Sequence, residues 1–487
     1  MFKGIAVGNV SATGKFDEKN FYVDISRADV SGGGIRLTAN GRTSEGPFPI
    51  RMNVVAENVD PESLSESVLK LLNVRYRVSG DIRRATFEGT INSRESLDGH
   101  ALLEARNISV SNPGTGRNIV KDASFNSEME FNGKDLLFKA KASVGTLSSQ
   151  ISATLTEFIG KERHLRAKGT LPDAKLTDIR NSFWEIFPDS LLYAKLDGSI
   201  SSELSIDYSK DGLDVKGRLS IKDGGLGGEN GEYTLGPING TIPVKYGKVG
   251  EKKETLSLPS FQKSQFDSLE KYYMQEGGEQ GSYRVTIGSL TYGFQFFDSV
   301  ELLIKPDSSL FNVERFGANI FEGRLSGSAT IDISDGLNYR VGFLVKGLSL
   351  NRLCDSIKPL KGFISGKVDG IGTFKGSGVG ISALIGKADF WTYPTKNERT
   401  VISKEFLQKI GGASMKFYLR DRPFDKGILT LYLQNGDLIF EELELSNRNF
   451  LGMTDLSMKV APFNNRIGLD NLLWTITEAA ERAKKKE

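Results

Sequence analysis

Histidine occurs only twice in 487 residues, as His100 and His164. The two lie far apart, and neither has cysteines or carboxylates beside it at metal-ligand spacing. A zinc centre of the His/Cys type therefore lacks its donors. A serine hydrolase would need one of these rings as its base, and no G-x-S-x-G elbow occurs to carry the nucleophile. Cys354 is the single cysteine. It follows Leu353 in a short helical stretch, where a small packed residue fits better than a nucleophile, and alone it excludes an intramolecular disulfide. Gly370-Ile371-Gly372 sits inside alternating strand sequence with no helix after it, so it is not a dinucleotide loop. The run from Gly224 to Glu229 looks like one calcium-binding nonapeptide, a device that works only in stacked copies. Carboxylates are plentiful, but no spacing singles out an acid/base pair. The reading is of a protein that is not an enzyme, with no cofactor and no metal.

What the chain does repeat is an apolar residue at every second position. Leu337, Tyr339, Val341, Phe343 and Val345 alternate with wetter residues after an Asp335-Gly336 turn. Leu136, Phe138, Ala140, Ala142 and Val144 do the same after Asn132-Gly133. Leu213, Val215, Leu219 and Ile221 follow Asp211-Gly212, and Leu325, Ala329, Ile331 and Ile333 form a further set. Period-two alternation after a turn dipeptide predicts antiparallel strands with one apolar face.

Composition suits this reading. The 38% hydrophobic and 25% charged fractions are globular values, and 54 glycines against 14 prolines favour many short hairpins over linkers. A net charge of +2 gives no electrostatic case for nucleic acid. A cassette of strand, short helix and strand ending in Gly recurs from Ala56, Ala167 and Val345. It predicts helices near 61–72, 174–187 and 350–357, with another near 403–410 ending at Gly411-Gly412. The charged segment 248–282 reads as a flexible insertion containing a helix over 262–274. We divide the chain into 1–297, 298–468 and a C-terminal amphipathic helix over 469–487, where Leu469, Leu472, Leu473, Ile476 and Ala480 form one stripe. Met1–Val10 resembles neither a signal peptide nor an anchor, yet enters strand-like sequence at once. We therefore expect Met1 to lie inside a longer protein.

So many one-sided strands must cover their apolar faces. Several β-sandwiches would do so, but would need linkers that the sequence lacks. A β-solenoid would show a short constant period, and none is found. A single curled sheet of about 30 strands at about 4.8 Å spacing would leave an extended apolar groove. These readings predict a mainly β protein. A structural or adhesive envelope protein and a lipid conduit remain the competing functions.

The cassettes, with segments such as Ile320-Phe-Glu-Gly-Arg-Leu-Ser-Gly327 and Leu360-Lys-Gly-Phe-Ile-Ser-Gly366, resemble the AsmA-like superfamily of bacterial envelope proteins. The likeness is greatest to the YdbH-like branch, with the TamB and AsmA branches more distant. It implies a long, curled antiparallel sheet with a hydrophobic groove, held in the inner membrane by an N-terminal helix and crossing the periplasm. It also implies phospholipid transport towards the outer membrane and a protein partner on the outer-membrane side. This chain has no such anchor, so it would correspond to the C-terminal half. The alternating residues named above are the expected lining of the groove.

Overall fold

The computed structural model describes residues 7–468 apart from 31, 43–48, 62–75, 159–161, 188, 230, 232, 248–260, 275–280, 293–294, 308–309, 333–336, 357–360, 379–382, 394–398, 411–418, 449–453 and 460–465. The protein is mainly β. Its strands form one long antiparallel sheet of 24 strands, with a separate sheet of three short strands. Most strands of the long sheet pair with a neighbour in sequence, many through hairpins, as in Val7–Phe16 with Asn20–Val30 and Asp135–Val144 with Leu147–Thr156. Asn435-Gly436 makes one such turn, with both residues in the left-handed region (φ 52° and 79°), the conformation a two-residue hairpin requires. The chain packs as two compact units. Unit 1 is 1–221 with 244–251, and unit 2 is 222–243 with 252–487. The sequence division at 297/298 falls within unit 2.

Helices are few and short. Among the described residues the α-helices are α1 (Leu176–Ser182), α2 (Asp189–Leu192), α3 (Phe266–Met274), α4 (Leu350–Ser356) and α5 (Lys404–Ile410). α1, α3, α4 and α5 lie within four of the predicted stretches, whereas the helix near 61–72 and the C-terminal helix fall outside the described residues. α1 sits at a rim of unit 1, where Arg180 donates to the Ala194 carbonyl at 2.8 Å and Thr146 donates to Asp178 at 2.7 Å. Cys354 in α4 is buried, and burial pushes its thiol up against a weaker opposing bond from the Ile364 N–H.

Two clusters of large, buried side chains hold unit 2. In the first, Phe261, Phe266, Leu269 and Tyr273 from the insertion pack on Leu344 and Ile371 of the sheet. Leu344 and Ile371 are 0% and 1% exposed, and sealing each contributes about 1.5–3 kcal/mol. Phe261 lies over Gly342, where a Cβ would overlap its ring. Tyr273 and Ser328 share a hydrogen bond of 2.9 Å, and Lys346 reaches Glu270 at 3.3 Å and Asp369 at 3.1 Å. In the second, Ile402, Leu407, Phe424, Leu445 and Leu456 join α5 and the three short strands to the end of the sheet.

Asp369 is almost fully buried. Burial raises its pKa above the ordinary 3.8, opposed by the Gly347 N–H and then by Lys346. For the more exposed Lys346, burial is outweighed by Asp369 and Glu270, and the ammonium is favoured. The two directions are compatible, because burial dominates at the better-buried carboxyl and the partners dominate at the amine.

Two outcomes follow from this packing. Gly342→Val should displace Phe261, cost about 1–3 kcal/mol and expose Phe261–Met274 to limited proteolysis. An unchanged digestion pattern would refute the contact. The folded chain holds the Asp369 proton to higher pH than the unfolded chain does. Its contribution is therefore greatest below pH 3.8 and is lost as pH rises through the folded pKa. Urea midpoints from about pH 3 to about pH 7 should show the wild type losing stability relative to Asp369→Asn. A pH-independent difference would contradict that assignment.

Candidate functional site

Directly opposed residues in an antiparallel ladder point to the same face, so register shows which side chains share a surface. In unit 1 one row runs Val54, Phe87, Ala101, Met129, Phe138, Ala153, Ala167 and Ile206 across eight consecutive strands. Every member is apolar. The adjacent row, on the other face, runs Asn53, Glu88, His100, Glu130, Leu137, Thr154, Arg166 and Asp207. Only Leu137 breaks its polarity.

Leu136, Phe138, Ala140 and Val144 all lie on the apolar face, opposite Phe131, Met129, Ser127 and Ala123. Arg218 pairs with Glu203 at 2.7 Å, and Glu203 opposes Thr170 on the polar side. Alternation then puts Leu213, Val215, Leu219 and Ile221 on the apolar side of the same unit.

In unit 2, Phe316, Gly327, Phe343, Gly372, Ala388, Leu431 and Phe440 make one row. Leu325, Ala329 and Ile331 oppose Val345, Val341 and Tyr339 on that face. Leu337 precedes the strand Asn338–Ser349 and accepts the Gly378 N–H at 2.7 Å through its carbonyl. Ile333 falls outside the described residues.

Glycine and aromatic residues alternate across this surface. Phe343 opposes Gly372, Phe374 opposes Gly386, and Phe390 opposes Gly370. A Cβ at Gly372 would stand 2.8 Å from the Phe343 ring, so the ring lies over the neighbouring backbone. Phe343 and Phe374 stack at 5.3 Å. The same arrangement recurs in unit 1, where Phe87 lies 2.6 Å from a Cβ placed at Gly89. Aromatic rings laid over glycines make an apolar floor that is broad and shallow.

Comparisons with family models, with curated proteins and with solved structures find no match to this chain.

The two faces differ in how they are covered. α3 packs on the face that carries Leu344 and Ile371, opposite to that of Val341 and Phe343. Val341, Phe343, Phe374, Phe138, Phe125 and Phe87 all remain half-buried. The cap built from α5 and the short strands closes one end of the apolar face of unit 2, over Leu445.

Groups that could do covalent chemistry are dispersed. His164 bonds Asp207 at 2.6 Å, and that bond is the main cause holding the carboxylate below its ordinary range. His100 is exposed on the polar face between Glu88 and Glu130. Among the described residues, no group of three or more His, Cys, Asp or Glu side chains could hold a metal ion. Nor is any helix there long and apolar enough to cross a membrane, which says nothing of strands.

Sequence reasoning missed Phe316, Phe374, Phe390 and their glycine partners. Opposed glycines were the available signal. A register shift between Val313 and Phe316 hid the alternation in their strand.

Neighbouring residues on opposite faces should respond differently to truncation. Leu344→Ala should cost about 2–5 kcal/mol, as for a sealed core side chain, and Phe343→Ala distinctly less. Urea denaturation gives the ranking, and the reverse order would place Phe343 in a closed core.

Proposed function

We propose that the apolar sheet faces bind the acyl chains of phospholipids, and that the protein is a non-enzymatic lipid conduit of the AsmA-like type. The observation that carries this reading is the placement of α3. The insertion spends its large apolar side chains on the opposite face and leaves Val341, Phe343 and Phe374 half-buried. Contiguous apolar surface of this extent calls for a partner. Acyl chains suit it, because each buried CH₂ contributes about 0.8 kcal/mol with no need for a polar contact.

The floor of rings over glycines supports passage better than a fixed site. Its rows repeat from strand to strand, so adjacent positions along the sheet offer a chain similar surroundings. Such a path has no intrinsic direction, which must come from the membranes or proteins at its ends. In this proposal the protein works in the periplasm of a Gram-negative envelope. It is held at the inner membrane, and a protein partner receives lipid on the outer-membrane side.

The test is native purification in mild detergent followed by lipid mass spectrometry. Co-purifying phospholipid is expected, with Val341→Glu and Phe343→Arg keeping the circular dichroism spectrum but losing the lipid. If no lipid is found and both variants unfold, the faces form a closed core and a structural envelope protein is the better description.

A further inference from the structure

The polar face of unit 1 holds a second candidate site, independent of acyl chains. A cavity of 840 Å³ opens on this face, and one of 400 Å³ adjoins it, with Lys139, Ser152 and Lys168 lining both. The outward residues of the strand Leu147–Thr156 are Ser148, Gln150, Ser152 and Thr154, which are all neutral and polar. Lys139 and Lys141 flank this lane on one side, opposing Ser152 and Gln150. Lys168 flanks it on the other, also opposing Ser152.

Several cations elsewhere on the polar face of this unit are paired. Arg36 pairs with Glu57 at 3.2 Å, Arg106 with Glu104 at 3.1 Å and Arg218 with Glu203 at 2.7 Å. Around the larger cavity, Arg84, Lys139, Lys141 and Lys168 have no hydrogen-bond or ion-pair partner among the described residues. Strand geometry puts Lys139 and Lys141 about 7 Å apart, and Lys139 and Lys168 about 10 Å apart. Glu104 and Glu128 share the lining, opposing Arg84 and Lys139, so four cations face two carboxylates and the surface keeps an excess of positive charge that an anion would offset.

We propose that this face binds an anionic polysaccharide, with sugar hydroxyls over the Ser/Gln/Ser/Thr lane and acidic substituents on the flanking lysines. The neutral lane is the feature that selects sugar. Hydroxyls and amides can exchange hydrogen bonds with a glycan, whereas a plain polyanion needs only cations. The cavity lining has no aromatic ring on which nucleobases would stack, which disfavours single-stranded nucleic acid.

The experiment titrates the full chain with a chondroitin sulfate hexasaccharide, with neutral dextran and with a dT12 oligonucleotide, all at one stated salt concentration. The hexasaccharide should bind best. The K139Q/K141Q/K168Q variant should weaken it by about tenfold or more. Q150A/S152A should weaken it several-fold without changing its salt dependence, because no charge is lost. K15Q/K19Q/K195Q removes the same charge elsewhere in the unit and should leave affinity unchanged. All three sets are exposed or half-exposed, and circular dichroism checks that each variant is folded. The proposal is overturned if the hexasaccharide does not bind, if dT12 binds more tightly, or if the two lysine triples weaken binding equally.

Discussion

The structure depends on antiparallel register. Side chains alternate with period two, so a slip of one residue in any strand would exchange its faces and break the apolar surface there. Where an extra residue enters, the ladder shifts and restores the pattern. Ala105 opposes Phe125 and Ile108 opposes Ala123, with Asn107 between them in the left-handed region. Val313 and Phe316 are similarly three apart, yet both lie on the apolar face through a register shift. The bulges therefore preserve the surface that simple alternation would have lost.

A one-layer sheet must also settle which face is covered. In unit 2 the inserted residues seal Leu344 and Ile371, and of the polar groups buried on that face Ser326 Oγ is left without a partner while others are matched. Tyr273 meets Ser328, and Lys346 meets Glu270 and Asp369. Unpaired, those charges would be costly at such depth. Over Gly342 the sheet has no side chain of its own, which admits Phe261. On the other face, glycines admit the sheet's own rings instead. One residue type thus serves to dock an insertion on one side and to flatten an apolar floor on the other.

The two faces offer different chemistry at the same strands. In Asp135–Val144, Phe138 and Ala140 point to the apolar side, while Lys139 and Lys141 line the polar cavity. Tails and charged ligands could therefore be held by one strand without competing, because the backbone separates them. No convergent set of nucleophile, base and acid occurs among the described residues on which a reaction could be argued. The functional reading rests on surfaces.

The sequence by itself determined the β class, the hairpin turns and the face to which most apolar residues belong. These are local properties, set by period-two alternation and by dipeptides such as Asn435-Gly436. It also indicated α1, α3, α4 and α5, whose residues lie between strands. Tertiary structure decided the rest. That α3 covers Leu344 and not Phe343 depends on contacts between residues some 70 positions apart, for which alternation carries no information. Pairings of ring with glycine, such as Phe343 with Gly372, need the register of two strands at once. The lysines that flank the neutral lane were equally hidden, since Lys139 and Lys168 become neighbours only when Ser152 lies between them. A linear pattern can say which way a side chain points, but what it faces is fixed by which strands pair and by where the insertion folds back.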